Sequence, residues 1–594
     1  MKENNLPAWD LSDLYNTIKD PKIVKDIKNY EKRAISFAKK YKGKLAIISP
    51  ETFAEALKEL EDMSSLAHRL GNFASLNMST QLNNQEATSF YQSVREAFTK
   101  AGQHLVFFDL ELAHIDDNRI KILLKNKDVS HYRPFIERAR KYRKYYLSED
   151  LESLMLDKSL TSEAAWVRLY EENSAKQKYT VDGKEYNDAQ ISKLLLDNDA
   201  KTREKAGKEL NRVSEKNADL NTFVYNMIIK DKEIEDKKRG YKTPMAAMNL
   251  ANSVEQETLD ALCESVKDNY HKISHRFYKL KAKWLGVEKI GYWDRNAPLP
   301  FAPTRTYSWD EAVKTVLQAY GEFSPKLRNI AQNFFENNWI DVPPRNGKRS
   351  GAFAAPVSAT HHPYLFLNFT GKQNDVLTLA HELGHGCHMM LSAKQGELND
   401  DTPLCLAEVA SVFAEMLTFQ SMLKKIDDDK EKLALIAGKV SDMINTAIRQ
   451  IAFHFFEVKA HYARKNGELS TEQLNQFWLE EMRESLGEYV VVDENSQYIW
   501  SQVGHFYFAP FYVYAYSFAD CLVNSLYQVH MEGKFPDFAD KYLDMLSKTG
   551  VKKYTELLKP FGLDAKNSNF WNKGLSLISS YIDILEELDK KIYG

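Results

Sequence analysis

The pentad His381-Glu382-Leu383-Gly384-His385 brings together residue types that can hold a divalent metal and move a proton beside it. On a helix the two imidazoles stand at i and i+4, about 40° apart around the axis, so both rings can meet one zinc ion. Glu382 lies about 100° from His381, beside the metal rather than among its ligands, where a carboxylate can take a proton from water. The run Asn374-Asp375-Val376-Leu377-Thr378-Leu379-Ala380 ahead of the pentad supplies a capping residue and then helix-forming or apolar residues, so a helix is predicted there.

A catalytic zinc site has a third protein ligand and one open position. His388 shares the helical face but lies seven residues beyond His381, about 10.5 Å along an unbroken helix, too far for both rings to meet one ion. It reads as a core residue or as support for the ligands. A metzincin arrangement needs a later histidine in Gly-x-x-His spacing, whereas Gly386 follows His385 directly and no such histidine appears. Glu408 is the better candidate. The stretch from Leu404 to Leu417 reads as an apolar helix interrupted only by Glu408, Ser411 and Glu415 on one stripe. Burying an ionised carboxylate without a partner costs several kcal/mol; a metal for Glu408 and a hydrogen-bonded histidine for Glu415 satisfy both. A solvated helix face is the plain alternative.

Taken together, His381-Glu382-Leu383-Gly384-His385-Gly386-Cys387-His388 and the downstream Ala407-Glu408-Val409-Ala410-Ser411 resemble the thimet oligopeptidase and oligoendopeptidase F zinc peptidases, most closely the oligoendopeptidase F group. Trp9-Asp10-Leu11-Ser12-Asp13-Leu14-Tyr15 near the start, and His505-Phe506-Tyr507 with Pro510-Phe511-Tyr512-Val513-Tyr514 near the end, extend the resemblance over nearly the whole chain. It implies a mainly α-helical, two-lobed, zincin-like body with a deep substrate channel and a gluzincin-type site. It further implies one Zn2+ per chain on His381, His385 and Glu408, Glu382 as the base, and His505, Tyr507 and Tyr514 as substrate or oxyanion contacts. The implied substrates are short, unstructured oligopeptides cut at internal bonds. Aromatic residues at helical spacing are also common in cores, which is the competing reading for Tyr507 and Tyr514.

The elements that position these residues can be read more coarsely. Residues 21 to 175 carry apolar spacings of three and four, as in Phe53, Leu57, Leu60 and Met63, and predict successive amphipathic helices. Asp182-Gly183 between short β-prone runs predicts a hairpin over 178–186 and a lobe boundary near residue 200. The expected division is therefore a helical lobe over 1–200 and a catalytic domain over 201–594. Prolines and glycines cluster from Pro298 to Gly371, including Pro300, Pro303, Pro343 and Gly351, and Pro363 to Phe369 reads as a strand, so a small β-sheet is expected beside the metal helix. Tyr364 to Phe369 reads either as an open edge for pairing with a substrate backbone or as an internal strand with no free edge. Helical texture returns after Lys372.

Bulk properties narrow the class. With 80 Lys plus Arg against 83 Asp plus Glu, the net charge of -3 recommends neither nucleic acid nor an anionic membrane as partner. Four scattered cysteines do not read as a disulfide framework, and Met1 to Pro7 lacks the pattern of a secretion signal, so a cytoplasmic location is expected. The apolar stretch Phe506 to Ala519 is shorter than the roughly 20 residues that span a bilayer. Two rival functions stand beside the endopeptidase. A dipeptidyl carboxypeptidase would need a cationic group to capture the substrate carboxylate. A non-catalytic helical peptide-binding protein with a structural metal would normally close the site with four protein ligands.

Overall fold

Short polar residues ahead of apolar runs open many of the helices. Ser49 accepts from the Thr52 N–H and, with Pro50, starts the helix Pro50–Ser79; Ser308 with Glu311, and Ser470 with Gln473, form reciprocal capping boxes. In a computed structural model that describes residues 6–301 and 305–594, the helices assemble into two compact units built from interleaved segments. The first comprises Met1–Lys144, Arg305–Lys424 and Phe535–Gly562; the second comprises Tyr145–Thr304, Lys425–Lys534 and Leu563–Gly594. Residue 200 lies inside the second unit. Pro303 and the first five residues, used in the sequence reading, fall outside the described residues.

The first unit is mainly helical around one small sheet. Helices Pro21–Tyr41, Pro50–Ser79 and Gln85–Gly102 pack on one another. Tyr15, Leu70 and Phe73 share a core with Ala355, Val357 and Tyr364, which ties this helical layer to the sheet. The sheet orders Ile340–Asp341, Tyr364–Phe366 and Phe353–Ala355, the first pair parallel and the second antiparallel. Of the two readings of Tyr364–Phe366, the internal one holds: it is the central strand, and Ile340–Asp341 and Phe353–Ala355 are the outer strands. The physical reason is composition: Tyr364, Leu365 and Phe366 are all fully buried, as befits a strand covered on both faces. Phe353 and Ala354 are only half-buried.

The predicted metal helix runs Gln373–Ser392 and starts one residue ahead of the expected cap. Asp375 reaches back from inside the first turn, accepting from the Thr370 N–H at 2.7 Å and the Lys372 N–H at 3.0 Å. One flank of this helix lies on the two antiparallel strands; another lies on the helix Val409–Leu423. Glycine allows both approaches. A Cβ on Gly386 would sit 2.7 Å from the Phe334 ring. A Cβ on Gly384 would sit 2.8 Å from the Ala410 carbonyl oxygen and 2.8 Å from Ser411 Cα, backbone atoms that cannot swing aside. Among the described residues, Leu404–Leu423 is the one helical stretch long and apolar enough to cross a membrane, and 67% of it is buried inside the protein, as in a core helix.

In the second unit the Asp-Gly hairpin forms as predicted. Tyr179–Val181 pairs antiparallel with Lys184–Tyr186, and Asp182 and Gly183 take φ of 51° and 74° in the turn. The long helix Ser568–Tyr593 packs against Tyr514–Met531, Asp429–Met443 and Gln256–Asp268.

Gly384→Ala is expected to lower the thermal midpoint, at a cost of about 1–3 kcal/mol for forced overpacking against backbone. Gly438→Ala, in a helix with open space at the Cβ position, is expected to leave it unchanged or raise it slightly. Equal midpoints for the two variants would contradict the close helix approach.

Candidate functional site

The helical spacing does what the sequence suggested for the two imidazoles. His381 and His385 present their Nε2 atoms to one point, and the Glu408 Oε2 atom lies 3.2 Å from each. Among the described residues these three form the group of His, Cys, Asp or Glu donors close enough to share a metal ion, their ligand atoms all within 4.8 Å of one another. Two imidazole nitrogens and one carboxylate oxygen on a common point match the donor set of a catalytic zinc site, so the residues fit the metal. Glu408 occupies the junction between the short helix Leu404–Ala407 and Val409–Leu423, and Ser411 Oγ donates to its Oε2 at 2.8 Å. Glu415, two turns on, places Oε2 3.3 Å from His381 Nδ1. That contact orients the ring and leaves Nε2 toward the shared point.

The electrostatics are those of a tightly coupled cluster of imidazoles and carboxylates. Burial alone would push His381 down, but hydrogen bonds and charge from Glu408 and Glu415 outweigh it and bring its pKa up to about 10. Burial alone would raise Glu408; hydrogen bonds from the His381 and His385 rings hold it well below the usual carboxylate range. Glu382 is 7% exposed, and burial raises its pKa against the pull of the two imidazoles. The backbone N–H of Ala354 acts on the carboxyl in the opposite sense, lowering its pKa, so the base and the outer strand Phe353–Ala355 are neighbours.

His388 is a core residue. It is buried, its Nε2 lies 2.7 Å from Thr549 Oγ1, and burial pushes its pKa down to about 4. The later aromatic candidates belong to the second unit and divide among themselves. Tyr507 is fully buried and stacked on Tyr170, with ring centroids 3.7 Å apart. Tyr514 is also fully buried, and its hydroxyl accepts from Asn252 Nδ2 at 3.0 Å. Neither ring is presented to solvent. His505 is part-exposed and stands instead with two tyrosines that sequence reasoning missed: the Tyr516 hydroxyl is 3.2 Å from its Nε2, and the Tyr512 ring stacks on the imidazole. The three residues come from a short helix, a turn and the next helix, so no single periodicity links them in the sequence. The intervening turn is held from below. Phe511 takes φ of 63°, and its N–H donates to Oε1 of the fully buried Glu457 at 2.7 Å.

Comparison with known proteins places the whole chain. A family model described as Peptidase family M3 matches residues 193–577, more than half of the chain, and one described as Oligopeptidase F matches residues 111–179. The chain is 25% identical to Oligopeptidase PepF of Bacillus subtilis (strain 168), over 94% of this chain and 84% of that protein. It is 25% identical to an Oligoendopeptidase F homolog of Borreliella burgdorferi, over 93% of this chain and 92% of that protein. The fold is shared with the crystal structure of oligoendopeptidase-F from Enterococcus faecium, at a TM-score of 0.71 and 21% identity over 96% of this chain and 98% of that one.

Glu408→Ala is expected to abolish metal retention, and Glu415→Gln to weaken it about 10- to 100-fold, both read by metal content after dialysis against graded chelator. Because hydrogen bonds and charge from Glu408 and Glu415 raise the His381 pKa, zinc binding is expected to displace a proton from that ring. Calorimetry at pH 8 in buffers of different ionisation enthalpy is expected to show about one proton released per zinc, with the release vanishing as pH rises past 10. No release at pH 8 would contradict the raised His381 pKa.

Proposed function

The chain belongs to peptidase family M3, and on that premise we propose that it is a zinc-dependent endopeptidase that hydrolyses internal bonds of short, unstructured oligopeptides. One observation carries the reading: His381, His385 and Glu408 converge on one point with the buried carboxyl of Glu382 beside them. The names of the relatives, oligopeptidase and oligoendopeptidase, support the substrate class.

His381, His385 and Glu408 would hold the zinc, whose contribution when bound is Lewis acidity, polarising a peptide carbonyl and lowering the pKa of water toward about 7. Glu415 fixes the His381 ring so that Nε2 stays available. Glu382 in its ionised form takes the proton of the attacking water. Its burial raises its affinity for that proton, and it then hands it to the departing amine. No covalent bond between substrate and protein is needed. The free edge of Phe353–Ala355 offers backbone groups to an extended peptide, which places a carbonyl near Glu382 without reading side chains. Of the candidates in the second unit, His505 is part-exposed whereas Tyr507 and Tyr514 are fully buried, which favours His505 for a substrate contact. The four cysteines, all free and buried, support a reducing, cytoplasmic setting.

Glu382→Gln is expected to keep its zinc and its thermal midpoint while peptide cleavage falls by at least about 100-fold, the lower range for loss of a general base. Substantial cleavage by a zinc-replete Glu382→Gln protein would remove Glu382 from the role of base.

A further inference from the structure

The face of the helix Gln373–Ser392 that carries His385 continues one turn on to Met389, which is half-buried like its neighbour Met390. The edge strand advances beside it in the same direction. Ala354 stands at Glu382, and the next residues, Pro356 to Ala359, meet Met389, Met390 and Ala393 around a cavity of about 200 Å3. The cavity is the size of one side chain. It lies seven residues beyond Glu382 along the helix, roughly 10 Å, which an extended peptide covers in about three residues.

The walls of this cavity differ in character. Val357, Pro363, Met389 and Met390 make an apolar sleeve, and His68, Glu397 and Asp400 make a polar floor. The Glu397 side chain is 7% exposed and accepts from the Ala359 N–H at 2.7 Å, with His68 Nδ1 at 2.5 Å. Asp400 accepts from Ser392 Oγ at 3.1 Å, and burial raises its pKa. The cations that act on the lining residues are committed elsewhere: Arg138 Nε pairs with Asp401 at 2.8 Å and its Nη2 donates to the Leu398 carbonyl at 2.6 Å, and Arg69 pairs with Asp26 at 2.9 Å. Two carboxylates therefore face the cavity with two imidazoles, His68 paired to Glu397 and His361, whose pKa burial pushes down. An apolar sleeve ending on a negative floor suits a long side chain with a cationic head, whose methylenes lie on the sleeve while the head reaches the acids.

We propose that this cavity is a substrate subsite for a lysine or arginine side chain three to four residues from the scissile bond, with Asp400 and Glu397 receiving the charged head. The subsite rests on the peptidase reading, since it takes its distance from Glu382 and its path from the free strand edge. It makes the enzyme selective for basic oligopeptides.

The test is product analysis by mass spectrometry after the zinc-loaded full-length protein acts on a peptide library. Lys, Arg, Ala and Glu are varied at four positions on each side of the cut, and all peptides are N-acetylated so that the amino terminus cannot supply the charge. The expected result is about a tenfold preference in kcat/KM for Lys or Arg over Ala at the third or fourth residue on one side, the size of one charge-assisted hydrogen bond. Asp400→Asn combined with Glu397→Gln is expected to bring that ratio close to one. Asp400→Lys, which keeps Glu397 and its contacts, is expected to turn the preference toward Glu. Cleavage without a basic preference at these positions, or a preference that survives the variants, would overturn the subsite and leave the peptidase reading standing. A library left wholly uncut would overturn both.

Discussion

The candidate centre depends on how closely two helices approach. Glu408 is a short side chain on one helix and the histidines sit on another; its oxygen reaches 3.2 Å from both rings only because Gly384 lets the Ala410–Ser411 backbone come against the metal helix. Gly384 lies between the two ligands in sequence, so the contact that joins the helices is also the one that sets ligand separation. Gly386 plays the corresponding part on the sheet side, where Phe334 and Leu365 crowd the helix. The metal helix is thus clamped between a buried strand and a buried helix, the kind of rigid support that ligand geometry needs.

Charge within this clamp is arranged so that each acid has its own partner. Glu408 faces both Nε2 atoms, Glu415 faces His381 Nδ1, and Glu382 is left to burial and to the Ala354 N–H. The environments push two neighbouring glutamates in opposite directions, Glu408 down and Glu382 up. That separation assigns roles: a carboxyl held ionised suits a cation, and a carboxyl with raised proton affinity suits proton transfer.

Much of the centre was legible because helical periodicity is a local rule. The pair His381 and His385, the placement of Glu382 and the stripe Glu408, Ser411 and Glu415 all follow from residues within a few turns of one another. The Asp182-Gly183 hairpin was legible for the same reason. What escaped the sequence is long-range. The sheet order depends on which strand is covered on both faces, so the sequence leaves Tyr364–Phe366 open between edge and interior, and the fold makes it central. The units interleave because the chain returns to each of them, which no local composition shift records. Helical spacing could not carry through the aromatic run after His505 because Pro510 and the positive φ of Phe511 interrupt the helix there; Tyr507 and Tyr514 are fully buried, and Tyr512 and Tyr516 stand with the imidazole.

The central claim is that one zinc ion sits on His381, His385 and Glu408 with Glu382 outside the ligand set. Anomalous diffraction at the zinc edge from crystals of the zinc-loaded protein tests it directly. The expected result is a single strong peak with His381 Nε2, His385 Nε2 and a Glu408 oxygen each at about 2.0–2.2 Å and the Glu382 carboxylate beyond bonding distance. A peak bonded to His388 or Glu382 instead of Glu408, or no peak near the two histidines, would contradict it.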